Sequence, residues 1–373
     1  MAEPYTVQRE AGAPDWRHVT ITRDAYTSPV RLAAEHARVF ARTWQLAGRT
    51  DQLEKPGSWF TFEVAGESIL IVHAGEAGIR AFYNVCRHRG RQVVDAGTCG
   101  EARSFRCPYH SWTYDLDGRL RSLPEADAFG APDRSALGLR PVRVDVWQGL
   151  VFVNLDDGAE PLRAHLDVLE DCLGRAFEPG VLVAAKTHDF DANWKTVIEA
   201  FIETYHIAWL HPQVAKSLLY HDAAIAHFRR HSMTVVPAAK ANRWAERRGG
   251  HWREWLADPA YLELHYTIFP NVSVHLFLWG LTFLFRCLPH PTDPERMRMD
   301  VWVWKRLAEG ETPPPRLSMQ DAMAKILEQD YANVPFVQRG IRSRAFDGPR
   351  LSFYESRIAH LHAVLAEYLA APA

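Results

Sequence analysis

The chain has 373 residues, of which 47% are hydrophobic and 24% charged, and its formal net charge is −2. A chain of this length predicts two domains, and the balanced charge leaves no basic surplus for binding nucleic acid or an anionic membrane. Five cysteines form no recognisable disulfide framework, and the N-terminus lacks the build of a secretory signal, so we expect a reducing, cytoplasmic location.

Two regions precede the C-terminal domain. Residues 1–40 contain a predicted helix that begins at Ser28–Pro29, since serine is a suitable N-cap and proline suits the first helical position. We expect this segment to pack on the C-terminal domain. In residues 41–158, short apolar runs alternate with Gly, Pro and Asp, which is typical of a small all-β domain. Within it, Asp117–Gly118 predicts a hairpin turn.

The third region, residues 159–373, predicts an α+β domain with helices packed on a sheet. A short helical run at 162–173 precedes a longer predicted helix over 191–211. Strands are expected over roughly 261–306, and Gly280 there predicts a turn between two buried strands rather than the middle of a membrane span. Two further helices are predicted at 318–337 and 353–369.

Two short motifs each supply one thiolate and one imidazole: Cys86 with His88, and Cys107 with His110. A zinc finger pairs Cys with Cys and His with His, on a hairpin and a helix. Mixed arms among strands instead suit a two-iron cluster in which one iron takes both thiolates and the other both imidazoles. We therefore favour a Rieske-type [2Fe–2S] cluster over structural zinc. Gly90 would let the backbone approach a sulfide, and proline can stiffen the second loop.

The segments CRHRG and CPYHSWTYDLDGRL resemble the Rieske domain of the ring-hydroxylating oxygenase α-subunits, which are Rieske non-haem iron oxygenases. The resemblance implies that Cys86 and Cys107 ligate one iron of the cluster and that His88 and His110 ligate the other. It also implies the fold: an N-terminal all-β Rieske domain inserted before an α+β helix-grip catalytic domain with an antiparallel sheet.

The long predicted helix carries a second group of polar residues: Glu199, Glu203, His206 and His211. On an ideal helix the first three share a face, within about 60°, whereas His211 lies about 140° from His206. Both imidazoles can face one metal only at a π-bulge or a helix end, and Pro212 favours an end. Two imidazoles and one carboxylate form the facial triad of non-haem Fe(II) oxygenases.

This segment resembles the iron-binding helix of the same family, which implies that His206 and His211 bind a mononuclear iron. The third ligand must come from downstream, where the candidates are Asp321, Glu328 and Asp330. The family pattern of an Asp eight residues before Gln-x-Gly, here Gln338 and Gly340, selects Asp330. By default the other two candidates are charges on a helix surface.

Glu203 departs from the family pattern, because most members have Asp three residues before the first iron-binding His. By the resemblance, this carboxylate bridges His206 to a cluster His, such as His110, of the neighbouring subunit and carries electrons between them. Members that act on quaternary amines resemble this chain here. A solvated helix glutamate is the alternative. The resemblance also implies a head-to-tail ring, a homotrimer with or without a β-subunit.

The chain has no G-x-G pair and no P-loop, so we expect electrons from a separate NAD(P)H-dependent reductase, directly or through a ferredoxin. We predict a terminal oxygenase component that hydroxylates a small aromatic substrate, by mono- or dioxygenation, in aromatic hydrocarbon catabolism. One alternative is a Rieske monooxygenase that oxidises an N-methyl or quaternary ammonium carbon. The others are a Rieske electron carrier without oxygenase activity and a β-domain with structural zinc.

Four aromatic residues could line a substrate pocket or simply pack in the core: Trp209, Phe277, Trp279 and Phe283. Aromatic rings stack on an aromatic substrate and form cation–π contacts with an ammonium, so these residues do not distinguish the two substrate classes.

Overall fold

The computed structural model describes residues 6–130, 132–174, 176–177, 180–241, 244–256, 262–277, 280–307, 312 and 319–371, without the side chains of residues 214, 245 and 319–325. Two compact units divide the chain. The α+β unit joins Met1–Glu35 to Leu166–Ala373, and the β unit is His36–His165. The sequence predicts boundaries at residues 40 and 158, so the β unit is longer than predicted at both ends.

The N-terminal segment of the α+β unit contains strand β1 (Thr6–Arg9) and helices α1 (Asp24–Thr27) and α2 (Pro29–Glu35). The predicted start of α2 is confirmed, because Pro29 is its first residue and the Ser28 hydroxyl accepts the N–H of Arg31 at 3.2 Å. This cap satisfies one of the N–H groups that the first turn of a helix leaves without a helical partner.

The strands of the β unit are β2 (Gln45–Arg49), β3 (Ser58–Val64), β4 (Glu67–His73), β5 (Ile79–Tyr83), β6 (Cys99–Glu101), β7 (Phe105–Arg106), β8 (Thr113–Tyr114), β9 (Leu120–Ser122), β10 (Pro141–Trp147) and β11 (Leu150–Asn154). Among the described residues they form a seven-stranded antiparallel sheet, β2-β11-β10-β5-β4-β3-β6, and a three-stranded sheet, β7-β8-β9. Burial alternates along β3, as expected for a strand with one face on a core. The predicted turn is confirmed, since Asp117 and Gly118 lie between β8 and β9, and Gly118 has a φ of +85°.

The remaining strands of the α+β unit are β12 (Gly180–Phe190), β13 (Ala224–His227), β14 (Ser232–Pro237), β15 (Leu262–Ile268), β16 (Val272–Leu276), β17 (Leu281–Pro289) and β18 (Met297–Arg306). In the described part of this unit they form an eight-stranded sheet with β1, in the order β1-β13-β14-β15-β16-β17-β18-β12. The pairs are antiparallel except β1 with β13. An α+β unit with an antiparallel sheet is therefore confirmed.

The helices that follow α2 are α3 (Leu162–Leu166), α4 (Leu169–Leu173), α5 (Trp194–Ala200), α6 (Ile207–Leu210), α7 (Pro212–Ala215), α8 (Trp244–Arg247), α9 (Trp252–Trp255), α10 (Met319–Ile341) and α11 (Ser356–Ala370). The run predicted as one helix at 162–173 is two short helices, separated at Asp167 with a φ of +51°. No helix in the described ranges combines the length and the apolar character needed to cross a membrane.

The predicted strand region contains β15 to β18, and Gly280, with a φ of +77°, lies in the predicted turn between β16 and β17. Strands β12, β13 and β14 are not predicted. β12 is an edge strand that pairs with β18 alone among the described strands, and nine of its eleven residues remain partly or fully exposed. Its sequence begins with an apolar run, VLVAA, but continues with the polar residues KTHD, so it does not show one pattern along its whole length.

A buried ion pair fixes α5 against the N-terminal segment. The Glu35 carboxylate accepts Lys195 Nζ at 2.9 Å and Trp194 Nε1 at 2.9 Å, and both Glu35 and Lys195 are fully buried. Burial lowers the pKa of Lys195, while the Lys195 ammonium holds the pKa of Glu35 below its ordinary value against the effect of burial. The start of the segment that carries the metal-binding candidates is thereby held in place.

Candidate metal centres

The two Cys/His motifs of the β unit fold into matching loops. In each loop the residue four positions after the cysteine, Gly90 or Ser111, donates its N–H to the cysteine carbonyl at 3.0 Å. In each loop the cysteine N–H donates to the carbonyl five positions later at 2.8 Å. Gly90 and Ser111 both have a positive φ, +75° and +61°. The left-handed conformation at this position closes each loop, and this explains the glycine in CRHRG.

The side chains of the two loops converge. Cys86 and Cys107 are 3% and 2% exposed, and the rings of His88 and His110 lie 4.5 Å apart between centroids. The Nδ1 atom of His88 is buried and has no hydrogen-bond partner within the described residues. Two thiols with two imidazoles, one of them holding an orphaned nitrogen, fit the ligand set of a Rieske [2Fe–2S] cluster.

Tyr114 supports this site, although the sequence did not single it out. Its hydroxyl accepts the N–H of Arg87 at 2.9 Å and lies 3.2 Å from Cys86 Sγ, to which it can donate. Trp112 stacks on His88 with ring centroids 5.1 Å apart. Burial raises the pKa of the Cys86 thiol, so its deprotonation requires a bound cation such as iron.

In the α+β unit, the predicted single helix over 191–211 is wrong, because α5 ends at Ala200. In a continued helix the Phe201 carbonyl would accept the N–H of Tyr205. Instead, His275 Nε2 on the sheet lies 2.9 Å from the Phe201 oxygen, and the Glu203 carboxylate accepts the Tyr205 N–H. Both members of that helical hydrogen bond are thus taken by side chains, and the chain turns before α6.

This break brings three predicted ligands together. The ligand atoms of His206, His211 and Asp330 all lie within 4.8 Å of one another. His211 Nε2 is 2.9 Å from Asp330 Oδ1, and His206 Nε2 is 3.7 Å from the same atom. Two imidazoles and one carboxylate fit the facial triad of a mononuclear iron centre. The helix break thus achieves what an undistorted helix would prevent.

Hydrogen bonds orient both imidazoles. His206 Nδ1 bonds to Glu203 Oε1, and His211 Nδ1 lies 3.0 Å from Gln329 Oε1. With each Nδ1 donating to an oxygen, each Nε2 is left unprotonated and free to bind a metal. Burial of the His206 ring opposes its protonation, but Glu203 and Asp330 outweigh burial and raise the pKa of His206 above its ordinary value.

Gln338, part of the pattern that selected Asp330, ties α10 to α5. Its Oε1 accepts the Asn193 N–H at 3.0 Å and the Thr196 hydroxyl at 2.9 Å. The Glu328 side chain is exposed.

The structure gives no evidence that two other polar candidates, Asp321 and Glu199, bind this metal. The side chain of Asp321 lies outside the described residues. Glu199 does not join the triad, because its carboxylate accepts the Tyr26 hydroxyl at 3.1 Å and lies 2.7 Å from His362 Nε2.

A cavity of about 570 Å³, part of it open to solvent, lies beside the three ligands. Its walls include the predicted Phe277 and five residues that the sequence did not single out as site residues: Phe201, Phe285, Glu263, His265 and His275. Burial raises the pKa of Glu263 to about 8. Burial, with Arg357 and His206 adding to it, lowers the pKa of His265 to about 3.

Of the four predicted pocket residues, those that the structure describes lie in different environments. Phe277 lines the cavity. Phe283 is fully buried with its ring 5.2 Å from that of Phe277, and it is not among the lining residues. Trp209 is not among the lining residues, and its side chain is 79% exposed. Trp279 lies outside the described residues.

Paired Cys/His loops in a β unit, and a two-His-one-carboxylate site in an antiparallel α+β unit, define the class of Rieske non-haem iron oxygenases. The Rieske [2Fe-2S] domain family matches residues 43–143, and the Ring hydroxylating alpha subunit (catalytic domain) family matches residues 179–371. The chain belongs to the ring hydroxylating alpha subunit family. The resemblance noted in the sequence is therefore confirmed, and with it the Rieske cluster and mononuclear iron as the cofactors of this family.

Known relatives and structures extend this finding. The chain is 32% identical to the carnitine monooxygenase oxygenase subunit of Acinetobacter pittii over 203 residues, which cover 53% of this chain and about half, 54%, of that relative. It is 32% identical to the chloroplastic choline monooxygenase of Spinacia oleracea over 92% of this chain and 77% of that one. The crystal structure of the quaternary ammonium Rieske monooxygenase CntA with L-carnitine has the same fold, with a TM-score of 0.76 at 23% identity over 94% of this chain and 95% of that one.

Proposed function

We propose that this protein is the oxygenase component of a monooxygenase that hydroxylates a carbon of a quaternary ammonium substrate. The observation that carries the proposal is the convergence of His206, His211 and Asp330 beside a cavity with aromatic walls. The relatives named for carnitine and choline support the ammonium substrate. They do not support our expectation of an aromatic substrate and a dioxygenase, and they favour the alternative of a monooxygenase with an N-methyl or quaternary ammonium substrate.

The overall reaction converts a C–H bond, O2, two electrons and two protons into C–OH and water. When bound, the mononuclear iron supplies O2 activation and the cluster supplies the electrons. The residues of this chain orient the metal ligands and enclose the substrate cavity. Glu203 and Gln329 hold the outer nitrogens of the two imidazoles, so that both Nε2 atoms face the Asp330 carboxylate. The phenylalanine walls of the cavity limit water at the reacting carbon.

Electrons for this reaction come, in our proposal, from a separate NAD(P)H-dependent reductase, with or without a ferredoxin. We also propose a head-to-tail homo-oligomer, a trimer, with or without a β-subunit. Two surfaces support it: the β unit exposes Tyr109 and Phe129 at 55% and 40%, and the α+β unit exposes Tyr205 and Trp209 at 50% and 79%. Exposed aromatic side chains of this size are typical of interaction surfaces.

In this assembly Glu203 is the proposed electron bridge. Its Oε2 already accepts the N–H groups of Tyr205 and His206, and its Oε1 bonds to His206 Nδ1. A carboxylate oxygen has two lone pairs, so Oε1 can also accept the N–H of His110 from a neighbouring subunit. The structure of a quaternary ammonium Rieske monooxygenase with the same fold is described as giving insights into inter-subunit electron transfer, which agrees with this proposal.

The test measures O2 uptake by the purified protein with a compatible reductase and two panels of compounds. One panel is choline, L-carnitine and glycine betaine, and the other is naphthalene and benzoate. We expect uptake and one hydroxylated product per O2 with at least one ammonium compound. Hydroxylation of the aromatic compounds alone would overturn the substrate class. A protein that holds about two Fe per two sulfides, rather than about three, would favour the electron carrier.

A further inference from the structure

Three carboxylates line the cavity, and Glu263 differs from the other two. Glu203 bonds to His206, and Asp330 contacts both iron-ligand imidazoles. Glu263 is 4% exposed, yet within the described residues no hydrogen-bond donor contacts its carboxylate. A buried carboxylate without partners is unfavourable, so its presence in a cavity wall indicates a ligand that supplies the missing charge.

The nearest polar neighbour of Glu263 does not neutralise it. His265 Nε2 approaches the Glu263 carboxylate to 3.9 Å, too far for a hydrogen bond. The His265 ring stacks on the His275 ring, with centroids 4.1 Å apart and planes 6° from parallel, and neither of its buried nitrogens has a hydrogen-bond partner in the part of the chain that the structure describes. A buried ring beside a second imidazole stays neutral, so this contact is not an ion pair.

The buried cation of α11 that packs on this sheet, Arg357, also makes its contacts elsewhere. The guanidinium of Arg357 donates to Thr267, Thr234 and Ser232. Thr234 pairs with His265, two residues beyond Glu263 on β15, and Thr267 lies four residues beyond it, which corresponds to about 7 and 13 Å along a strand. The hydrogen bonds of Arg357 thus go to hydroxyl groups further along the strands and leave the charge of Glu263 uncompensated.

The neighbouring walls are aromatic. The rings of Phe201 and Phe285 stack with centroids 4.4 Å apart, and Phe277 lines the cavity beside them. A quaternary ammonium has no N–H groups, so it needs an opposite charge and aromatic faces rather than hydrogen-bond acceptors. A primary amine or a guanidinium would instead need several acceptors around it. Of the three carboxylates, the one without a hydrogen-bond donor in the described residues lies in a cavity with phenylalanine walls, and this arrangement matches the first kind of cation.

We propose that Glu263 is the anionic subsite that selects a quaternary ammonium group over its neutral counterpart, with Phe201, Phe277 and Phe285 as its aromatic walls. This inference rests on the proposed function, since it names the residue that recognises the substrate class. It goes further by separating recognition of charge, at Glu263 on the sheet, from the metal ligands on the helices.

The test compares ligands of equal shape and different charge by isothermal titration of the purified holoprotein at pH 8.5, where the Glu263 carboxyl, with a pKa of about 8, is largely ionised before the ligand binds. Choline is paired with 3,3-dimethylbutan-1-ol, and glycine betaine with 3,3-dimethylbutanoate, in which carbon replaces the nitrogen. For wild type we expect at least one ammonium ligand to bind about 30-fold or more tightly than its carbon counterpart, the range for a buried charge pair. Glu263→Gln should remove this preference and leave the affinity for 3,3-dimethylbutan-1-ol, the neutral counterpart of choline, unchanged.

The control is Glu367→Gln, the same change at an exposed position on α11, which should keep the wild-type preference. A cooperative thermal melt and the retention of mononuclear iron report that the α+β unit of each variant is folded, and Glu263→Met replaces Glu263→Gln if that variant fails either check. A Glu263 variant that retains the preference overturns the inference while the proposed function stands. If wild type neither binds nor oxidises any ammonium compound, the proposed function fails, and the inference fails with it.

Discussion

Replacing Glu263 should make the protein more stable at alkaline pH, because burial raises the pKa of this carboxyl from its ordinary value of 4.5 to about 8. Between these two values the folded state holds a proton that the unfolded state has lost. Stability therefore falls as pH rises from about 4.5 to about 8 and is constant above that. Glutamine has no ionisable group, so Glu263→Gln removes this loss.

The magnitude follows from the interval between the two pKa values. Each unit is worth about 1.4 kcal/mol, so the full interval corresponds to a few kcal/mol in favour of the variant at pH 8.5. Water in the cavity reduces this figure. For a unit of this size, 1 kcal/mol shifts the melting temperature by about 2–4 °C, and we expect Glu263→Gln to melt roughly 5 °C or more above wild type at pH 8.5.

The assay is a thermal melt of both proteins at intervals from pH 5 to pH 9, followed by circular dichroism. Because other titrating groups are common to both proteins, only the difference between the two melting temperatures is interpreted. That difference should be small at pH 5, grow to pH 8 and then level off. A difference that is flat in pH, or a variant that is less stable than wild type at pH 8.5, would show that Glu263 is not an uncompensated buried carboxyl.

Three further predictions concern the supports of the two metal centres. Glu35→Gln should cost about 3–5 kcal/mol of stability in a denaturant titration, because it leaves the Lys195 ammonium buried without its partner, and a loss below about 1 kcal/mol would contradict this. Asp330→Asn should lose mononuclear iron and keep the cluster in a metal analysis, whereas Glu328→Gln on the same helix should lose neither; the reverse result would mean that the third ligand is misassigned. Tyr114→Phe should lower the cluster's reduction potential by roughly 20–60 mV, the equivalent of one hydrogen bond, and an unchanged potentiometric midpoint would show that its hydroxyl does not donate to the cluster sulfur.

The sequence predicts the cluster site far better than the cavity, for a physical reason. Each cluster loop is closed by hydrogen bonds within six consecutive residues, so the information for Cys86 and Cys107 is local. The helix break at Phe201 depends on His275, which lies 74 positions downstream of Phe201 and binds its carbonyl. No periodicity in the segment itself reveals that partner. The predicted single helix was therefore wrong, although both imidazoles were identified.

The sequence also does not predict which aromatic side chains point into the cavity. Residue type identified Trp209 and Phe277 equally well as aromatic candidates, yet the first is 79% exposed and the second lines the cavity. Which way a side chain points depends on the turn that precedes it, and the turn after α5 was not predictable. A large exposed tryptophan is instead consistent with a surface that another chain covers.

Strand β15 contained a signal that could have identified the cavity wall. Its sequence, LELHYTI, places Glu263, His265 and Thr267 on one face and apolar residues on the other, an alternation typical of a strand with one solvated face. Every residue of β15 is nevertheless buried. A strand in the middle of an eight-stranded sheet has little access to solvent, so polar residues on its covered face must meet a partner or a ligand. The Thr267 hydroxyl accepts a hydrogen bond from Arg357, whereas Glu263 lines the cavity. Burying the ionised Glu263 carboxylate there lowers the stability of the protein. Such a residue is best explained by the ligand it is placed to bind.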